Sequence, residues 1–162
     1  MKPGAATVGW SAAMGIVFVS TGPDEVVAEL EIGPQHLQAF GLVHGGVYAG
    51  LIETVASVGA VRAAGRGKSV VGIENHTSFV RAARAGAGKI RAVATPLHRG
   101  ATTQVWEVAV RDDAGRLLAT GRVRLLCTDP TPDGPKAATT PSATLDPSRR
   151  DAGADRDPVD AD

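Results

Sequence analysis

The chain has 162 residues, with 17 Lys plus Arg set against 17 Asp plus Glu. That length suits one domain with one sizeable core, and the balanced charge gives no bias toward nucleic acid or an anionic membrane. The lone cysteine, Cys127, excludes an internal disulfide and a cysteine-based metal site, and at the end of an apolar run it reads as a small buried hydrophobe.

In chain order, residues 1–13 carry little pattern beyond Gly and Ala and form an arm or a short helix, with Trp10 as the only large apolar group. They lack the charged-then-apolar profile of a signal peptide, and Glu53 interrupts the longest apolar run short of a membrane span. A soluble cytoplasmic protein with no membrane partner is the expectation. Met14 to Ser20 reads as a strand closed by the turn residues Thr21-Gly22-Pro23-Asp24. Val26 to Ile32 alternates, with Val26, Ala28, Leu30 and Ile32 on one face, and makes a hairpin with the first strand. A turn of helix is expected between Gly33 and Phe40.

A helix is predicted over about Gly45 to Ala64. Its apolar residues fall on nearly every side, which predicts burial all round. Gly65 and Gly67, beside Arg62 and Arg66, supply a left-handed cap and cations at the negative end of the dipole. Four small residues, Gly46, Ala49, Gly50 and Ala56, permit close approach of another element, although an interior Gly costs about 1 kcal/mol in helix propensity.

Beyond the helix every segment reads as strand: Ser69 to Arg81, Lys89 to Leu97, Ala101 to Arg111 and Leu117 to Cys127. Gln104, Trp106, Val108 and Val110 share one face, as do Ala119, Gly121, Val123, Leu125 and Cys127. Asp112-Asp113-Ala114-Gly115 is a hairpin turn. Short connections favour antiparallel neighbours. Helix and strands segregate, so the class is α+β, an antiparallel sheet of about six strands curled around one helix. The domain spans residues 14–127. From Thr128 onward the composition turns to Pro, Asp, Ala, Thr and Ser, with eight Asp against four Lys or Arg. Such a tail buries too little to offset its ordering entropy and is expected to be disordered. The remaining body is mildly basic, which suits a phosphorylated ligand.

The stretch Gly41 to Ala60 carries the candidate chemistry. Glu53 is an acid in an apolar helix, and Ser57, four residues on, lies on the same helical face. His44-Gly45-Gly46 stands where the helix begins, so unpaired backbone N–H groups there form an anion site. Such donors stabilise the oxyanion of acyl transfer, one donor being worth about 3 kcal/mol, and Gln38 can add a side-chain donor. A carboxylate base or nucleophile, a water-positioning hydroxyl and an oxyanion hole make a hydrolase for an activated acyl group. Gly45 and Glu53 lie about 12 Å apart along one helix axis at 1.5 Å per residue. Two antiparallel helices across a two-fold axis would bring the start of one to the middle of the other, which predicts a dimer with composite sites.

The run Gln38-Ala-Phe-Gly-Leu-Val-His44-Gly-Gly, followed by Glu53-Thr54 and Ser57, resembles the motif of hotdog-fold acyl-CoA thioesterases. The likeness is greatest to the branch of the enterobactin-pathway proofreading and 1,4-dihydroxy-2-naphthoyl-CoA thioesterases. It continues through Val70-Val-Gly-Ile-Glu-Asn75, Pro96-Leu-His-Arg-Gly100 and Val105-Trp-Glu-Val-Ala-Val, covering about Ile16 to Leu126. The resemblance implies that Glu53 is nucleophile or general base, that Ser57 helps place water, and that the Gly45 amide, Gln38 and His44 polarise the thioester carbonyl. It further implies an acyl-CoA substrate, aromatic or medium-chain. No cofactor is implied, because coenzyme A is part of the substrate, and no metal. A side-by-side helix dimer, often doubled to a tetramer, also follows from the resemblance. Gly46, Thr54 and Asn75 are expected at the substrate, and Arg81 at the coenzyme A phosphates, with Arg84, His98 and Arg99 as weaker candidates. Ala82 stands where relatives often have proline after the third strand. His76 reads as a surface histidine. Two competing functions are a non-catalytic acyl-CoA sensor and a hotdog enoyl thioester hydratase or dehydratase. The first has no need of the base, and the second generally uses an Asp-His pair, whereas this helix carries Glu without a neighbouring His.

Overall fold

The computed structural model describes residues 9–130. Residues 1–8 of the expected arm and 131–162 of the expected disordered tail lie outside the described residues. Gly9–Ala13 form a short helix, α1. Six strands follow around one long helix, α2 (Gly45–Ala64): β1 (Val17–Thr21), β2 (Val26–Glu31), β3 (Ser69–Phe79), β4 (Lys89–Arg99), β5 (Thr103–Asp112) and β6 (Leu117–Thr128). They form one antiparallel sheet in the order β1-β2-β4-β5-β6-β3.

One expectation is corrected here. β3 and β4 follow each other in sequence yet do not pair: β3 lies on the edge against β6, and β4 pairs with β2. Residues 80–88 make the crossing, held by Val43 N–H to Ala83 O at 2.9 Å and Ile32 N–H to Gly88 O at 3.0 Å. Strand alternation constrains faces but not neighbours, so this connection was open to either arrangement.

The core forms where α2 lies against the concave face of the sheet. Val47, Leu51, Val55 and Gly59 make one helical row and Tyr48, Ile52, Ala56 and Ala60 the next, all buried. They meet Ala92 and Ala94 of β4, Trp106, Val108 and Val110 of β5, and Val123 and Leu125 of β6. Full burial of each Leu, Ile or Val contributes about 1.5–3 kcal/mol relative to exposure. Gly59 is required by contact, because a Cβ there would lie 2.5 Å from the Trp106 ring. The Trp106 indole N–H donates to Gln104 Oε1 at 2.9 Å, and Gln104 Nε2 donates to Ala60 O at 3.2 Å and reaches Cys127 Sγ at 3.4 Å. These bonds pin the C-terminal half of α2 to the sheet and leave Cys127 a buried structural residue.

The helix is not buried all round in the protomer. Gly46, Glu53, Val61 and Arg62 are exposed, and Ala49, Gly50, Thr54 and Ser57 are half-buried. The sheet wraps only one side of a 20-residue cylinder. By length and apolar composition α2 could also cross a bilayer, despite Glu53, but its two buried rows are those of a core helix. At its end Gly65 takes φ 80°, ψ −174°, a glycine-only extended turn rather than the expected left-handed cap.

Candidate active site

The start of α2 is fixed by two histidines. His36 is fully buried; its Nδ1 accepts the Gly33 N–H at 2.8 Å, so its proton sits on Nε2, 3.0 Å from Met14 O. Its carbonyl accepts the His44 N–H at 2.8 Å, which ties the helix start to the segment leading into β1. His44 is the N-cap: its Nδ1 accepts the Gly46 N–H at 2.9 Å and its carbonyl the Val47 N–H at 2.9 Å. Two of the expected free donors are therefore spent inside the cap. Among the described residues the Gly45 N–H meets no protein acceptor, which narrows the anion site to that one amide.

Gly45 opens into a cleft of about 350 Å³ whose walls are Gln38, Leu42, Val43, Tyr48, Phe79, Val80, Arg81 and Ala82. A Cβ on Gly45 would stand 2.8 Å from Phe79 Cζ, so only glycine leaves room between the amide and that ring. Gln38 Oε1 accepts the Phe40 N–H, which turns the Gln38 amino group outward as a remaining donor. Arg81 brings an exposed guanidinium to the same cleft.

Glu53 lies elsewhere. The parity of β3 creates its environment, because a bulge at Ile73 shifts the register against β6 between Gly72 and Glu74. Both Gly72 and Asn75 consequently face the helix. A Cβ on Gly72 would lie 2.6 Å from Glu53 Oε1, so the carboxylate rests on bare backbone. Asn75 Nδ2 donates to Glu53 Oε2 at 3.2 Å and to Ala49 O at 3.1 Å, while Thr77 Oγ1 donates to Asn75 Oδ1 at 2.8 Å. Asn75, expected to touch substrate, is engaged in holding Glu53. The burial expected for Glu53 is corrected: it is exposed on the open face of α2.

The structure thus divides the expected residues. Gln38, Gly45 and Arg81 share one cleft, with His44 capping its helix. Glu53 and Asn75 form a second group. Ser57 follows one turn after Glu53, beside a shallow apolar hollow lined by Val58, Val61 and Arg62. Gly46 and Thr54 lie on the open helical face. His98 and Arg99 are at the far end of β4; Arg99 lies beside Ala63 and Ala64 and is paired with Asp24 at 2.7 Å. A 20-residue helix spans about 30 Å, so within one protomer these two cannot join the Gly45 cleft. Arg84 is exposed, bridged to Leu42. His76 is an exposed edge residue 2.7 Å from Glu74. Tyr48, Phe79 and Leu42 also line the cleft; in the sequence each is one apolar residue in an apolar or strand-like run and reads only as core.

Residues 40–119 match the thioesterase superfamily. The chain is similar to Rv1847 of Mycobacterium tuberculosis, at 43% identity over 122 residues covering 74% of this chain and 86% of that protein. It is similar to the proofreading thioesterase EntH of Cronobacter sakazakii, at 37% identity over 110 residues, 68% of this chain and 79% of the relative. Among solved structures it resembles AziG of S. sahachiroi, with a TM-score of 0.74 and 40% identity over 76% of this chain and 98% of that one.

Proposed function

This chain belongs to the thioesterase superfamily and is a hotdog-fold thioester hydrolase, and from that premise we propose that it cleaves acyl-CoA thioesters in a site shared between two subunits. The observation carrying this reading is the separation of the Gly45 amide from the Glu53 carboxylate on one helix, each with its own neighbours. The open face of α2 carries the small residues Gly46 and Ala49, which let a second α2 approach closely, while the Trp10 ring covers Gly50 beside them. An antiparallel partner crossing near Ala49 would set its Glu53 against the first subunit's Gly45. A dimer of such dimers is compatible with the same reading.

In the composite site the thioester oxygen sits against the Gly45 N–H, with the Gln38 amino group and the His44 Nε2–H as further donors. Each subunit's Asn75 and Gly72 hold that subunit's own Glu53, and the carboxylate that enters the site from the partner takes the proton from a water positioned by Ser57. The hydroxide adds to the carbonyl carbon, negative charge develops on the oxygen facing Gly45, and that amide stabilises it. Collapse breaks the C–S bond, and the proton held by Glu53 passes to the departing thiolate. Attack by the carboxylate itself, through an anhydride then hydrolysed, uses the same groups. Arg81 meets the coenzyme A phosphates at the mouth of the cleft.

Release of free thiol from a panel of aromatic and medium-chain acyl-CoAs tests the proposal. Wild type should turn over at least one, and Glu53→Gln should lose at least about a hundredfold in kcat while remaining folded. Equal turnover by Glu53→Gln would remove Glu53 from the chemistry; no turnover of any thioester would refute the acyl-CoA reading.

A further inference from the structure

The helix α1 and its Trp10 take no part in the reaction above. No residue of α1 is buried, and its Trp10 ring lies on Gly50 of α2. A Cβ on Gly50 would stand 2.6 Å from Trp10 Cζ2 and 3.2 Å from Cζ3, so the ring rests on bare helix backbone. The ring is nevertheless 44% exposed. Glycine inside a helix carries a cost in propensity, and Gly50 stands outside the two buried rows, where core packing does not require it. The ring accounts for it, because only glycine leaves this notch open.

Gly46 and Thr54 lie one turn to either side of Gly50, and Glu53 three residues beyond it, all on the open side of α2. The ring therefore stands between the start of the helix and the carboxylate, over the face that the proposed shared site uses. The geometry of α1 allows it to pivot there. It ends in a Schellman turn, with the Ile16 N–H donating to Ser11 O and the Gly15 N–H to Ala12 O, both at 3.0 Å, and Gly15 at φ 66°. The chain is fixed at that turn, because Met14 O accepts the His36 Nε2–H at 3.0 Å and Ile16 is buried. At the other end Gly9 takes φ 61°. A five-residue helix tied at one end and seated through one partly exposed ring is a short arm with a latch.

We propose that α1 is a hinged lid, with Trp10 on Gly50 as its closed position, and that the ring must leave the notch for a thioester to enter or leave the site beside Glu53. The inference rests on the acyl-CoA reading of that site. A gate that does not touch the bound ligand changes association and dissociation rates together and leaves affinity unaltered, whereas a contacting residue changes mainly dissociation.

The test measures stopped-flow binding of benzoyl-CoA and a medium-chain acyl-CoA to Glu53→Gln, alone and combined with either of two lid variants. Gly50→Ala fills the notch, and Gly15→Ala strains the hinge at positive φ without a clash, since nothing lies within 4 Å of a Cβ there. Each should raise both rate constants by about fivefold or more and keep Kd within about twofold. A second readout needs no ligand. With 5-fluorotryptophan at both tryptophans, the Trp10 resonance should show exchange on the microsecond-to-millisecond scale, and that of the fully buried Trp106 should not. A Trp10 resonance without exchange, or rates unchanged in both variants, would overturn the lid and leave the thioesterase reading intact. Faster dissociation alone, with Kd weakened in proportion, would also overturn it by making Trp10 a ligand contact. Exchange at Trp10 in a protein that binds no member of the panel would refute the acyl-CoA reading, and the gated thioester with it.

Discussion

Asn75 donates from one nitrogen both to Glu53 Oε2 at 3.2 Å and to Ala49 O at 3.1 Å, so an edge strand sets the position of the carboxylate on the helix. Replacing Asn75 by Ala should lower kcat by about tenfold with little change in KM, because Glu53 loses its orientation and not its charge. Steady-state kinetics on the best substrate checks this.

Gly45→Ala brings a methyl group to 2.8 Å from Phe79 Cζ and into the space before the cap amide that meets no acceptor among the described residues. Phe79 is 60% exposed and can swing aside, so the fold should tolerate the change. Turnover should fall by about a hundredfold, the scale of a lost oxyanion donor. Kinetics beside a thermal melt distinguishes the two effects.

Two glycines under two tryptophans give a contrast in stability. Gly59→Ala meets Trp106, fully buried and bonded to Gln104, and should destabilise by about 1–3 kcal/mol. Gly50→Ala meets the Trp10 ring at 2.4 Å, but that ring is 44% exposed and free to move. Its cost should stay within about 0.5 kcal/mol. Urea unfolding of both variants checks the ranking.

Asp112 closes the β5–β6 hairpin by accepting the Ala114 and Arg116 amides and the Arg116 Nε at 3.1, 2.9 and 2.8 Å. Burial pushes its carboxyl up, but the bonds and charge of Arg116 and the Ala114 amide pull it further down, and the net pKa is below the ordinary value. A depressed folded pKa stabilises above the unfolded value, near 3.9, and that contribution disappears as pH falls through the folded pKa. Asp112→Asn should therefore cost stability at pH 7 and progressively less toward pH 2, as read from melts across that range.

The strand faces were legible residue by residue. Gln104, Trp106, Val108 and Val110 alternate in sequence and are the buried side of β5. The candidate site was legible in its residue types, since His44, Gly45 and Glu53 stand out against glycine and aliphatic neighbours. Its grouping was not. The link from Asn75 to Glu53 depends on the bulge at Ile73, which reverses which residues of β3 face the helix, and no local pattern signals a one-residue insertion. The place of β3 beside β6 depends on long-range pairing. The open face of α2 was hard to read because Gly46, Ala49, Gly50 and Val61 stand among its polar residues Glu53, Thr54, Ser57 and Arg62, and small apolar residues read as packed. Tyr48 reads as a core aromatic, and only the enclosed environment of its hydroxyl distinguishes it.

In the proposed shared site, Gly45 of one subunit and Glu53 of another serve one thioester. Subunit mixing tests it most directly. Gly45→Pro removes the N–H at a first helical position that tolerates proline, and Glu53→Gln removes the acid; each homodimer should be inactive. In a refolded 1:1 mixture half the dimers are mixed, each with one intact composite site, so thiol release should recover to about a quarter of wild type. Heterodimers verified by mass that remain as inactive as either parent would contradict a shared site.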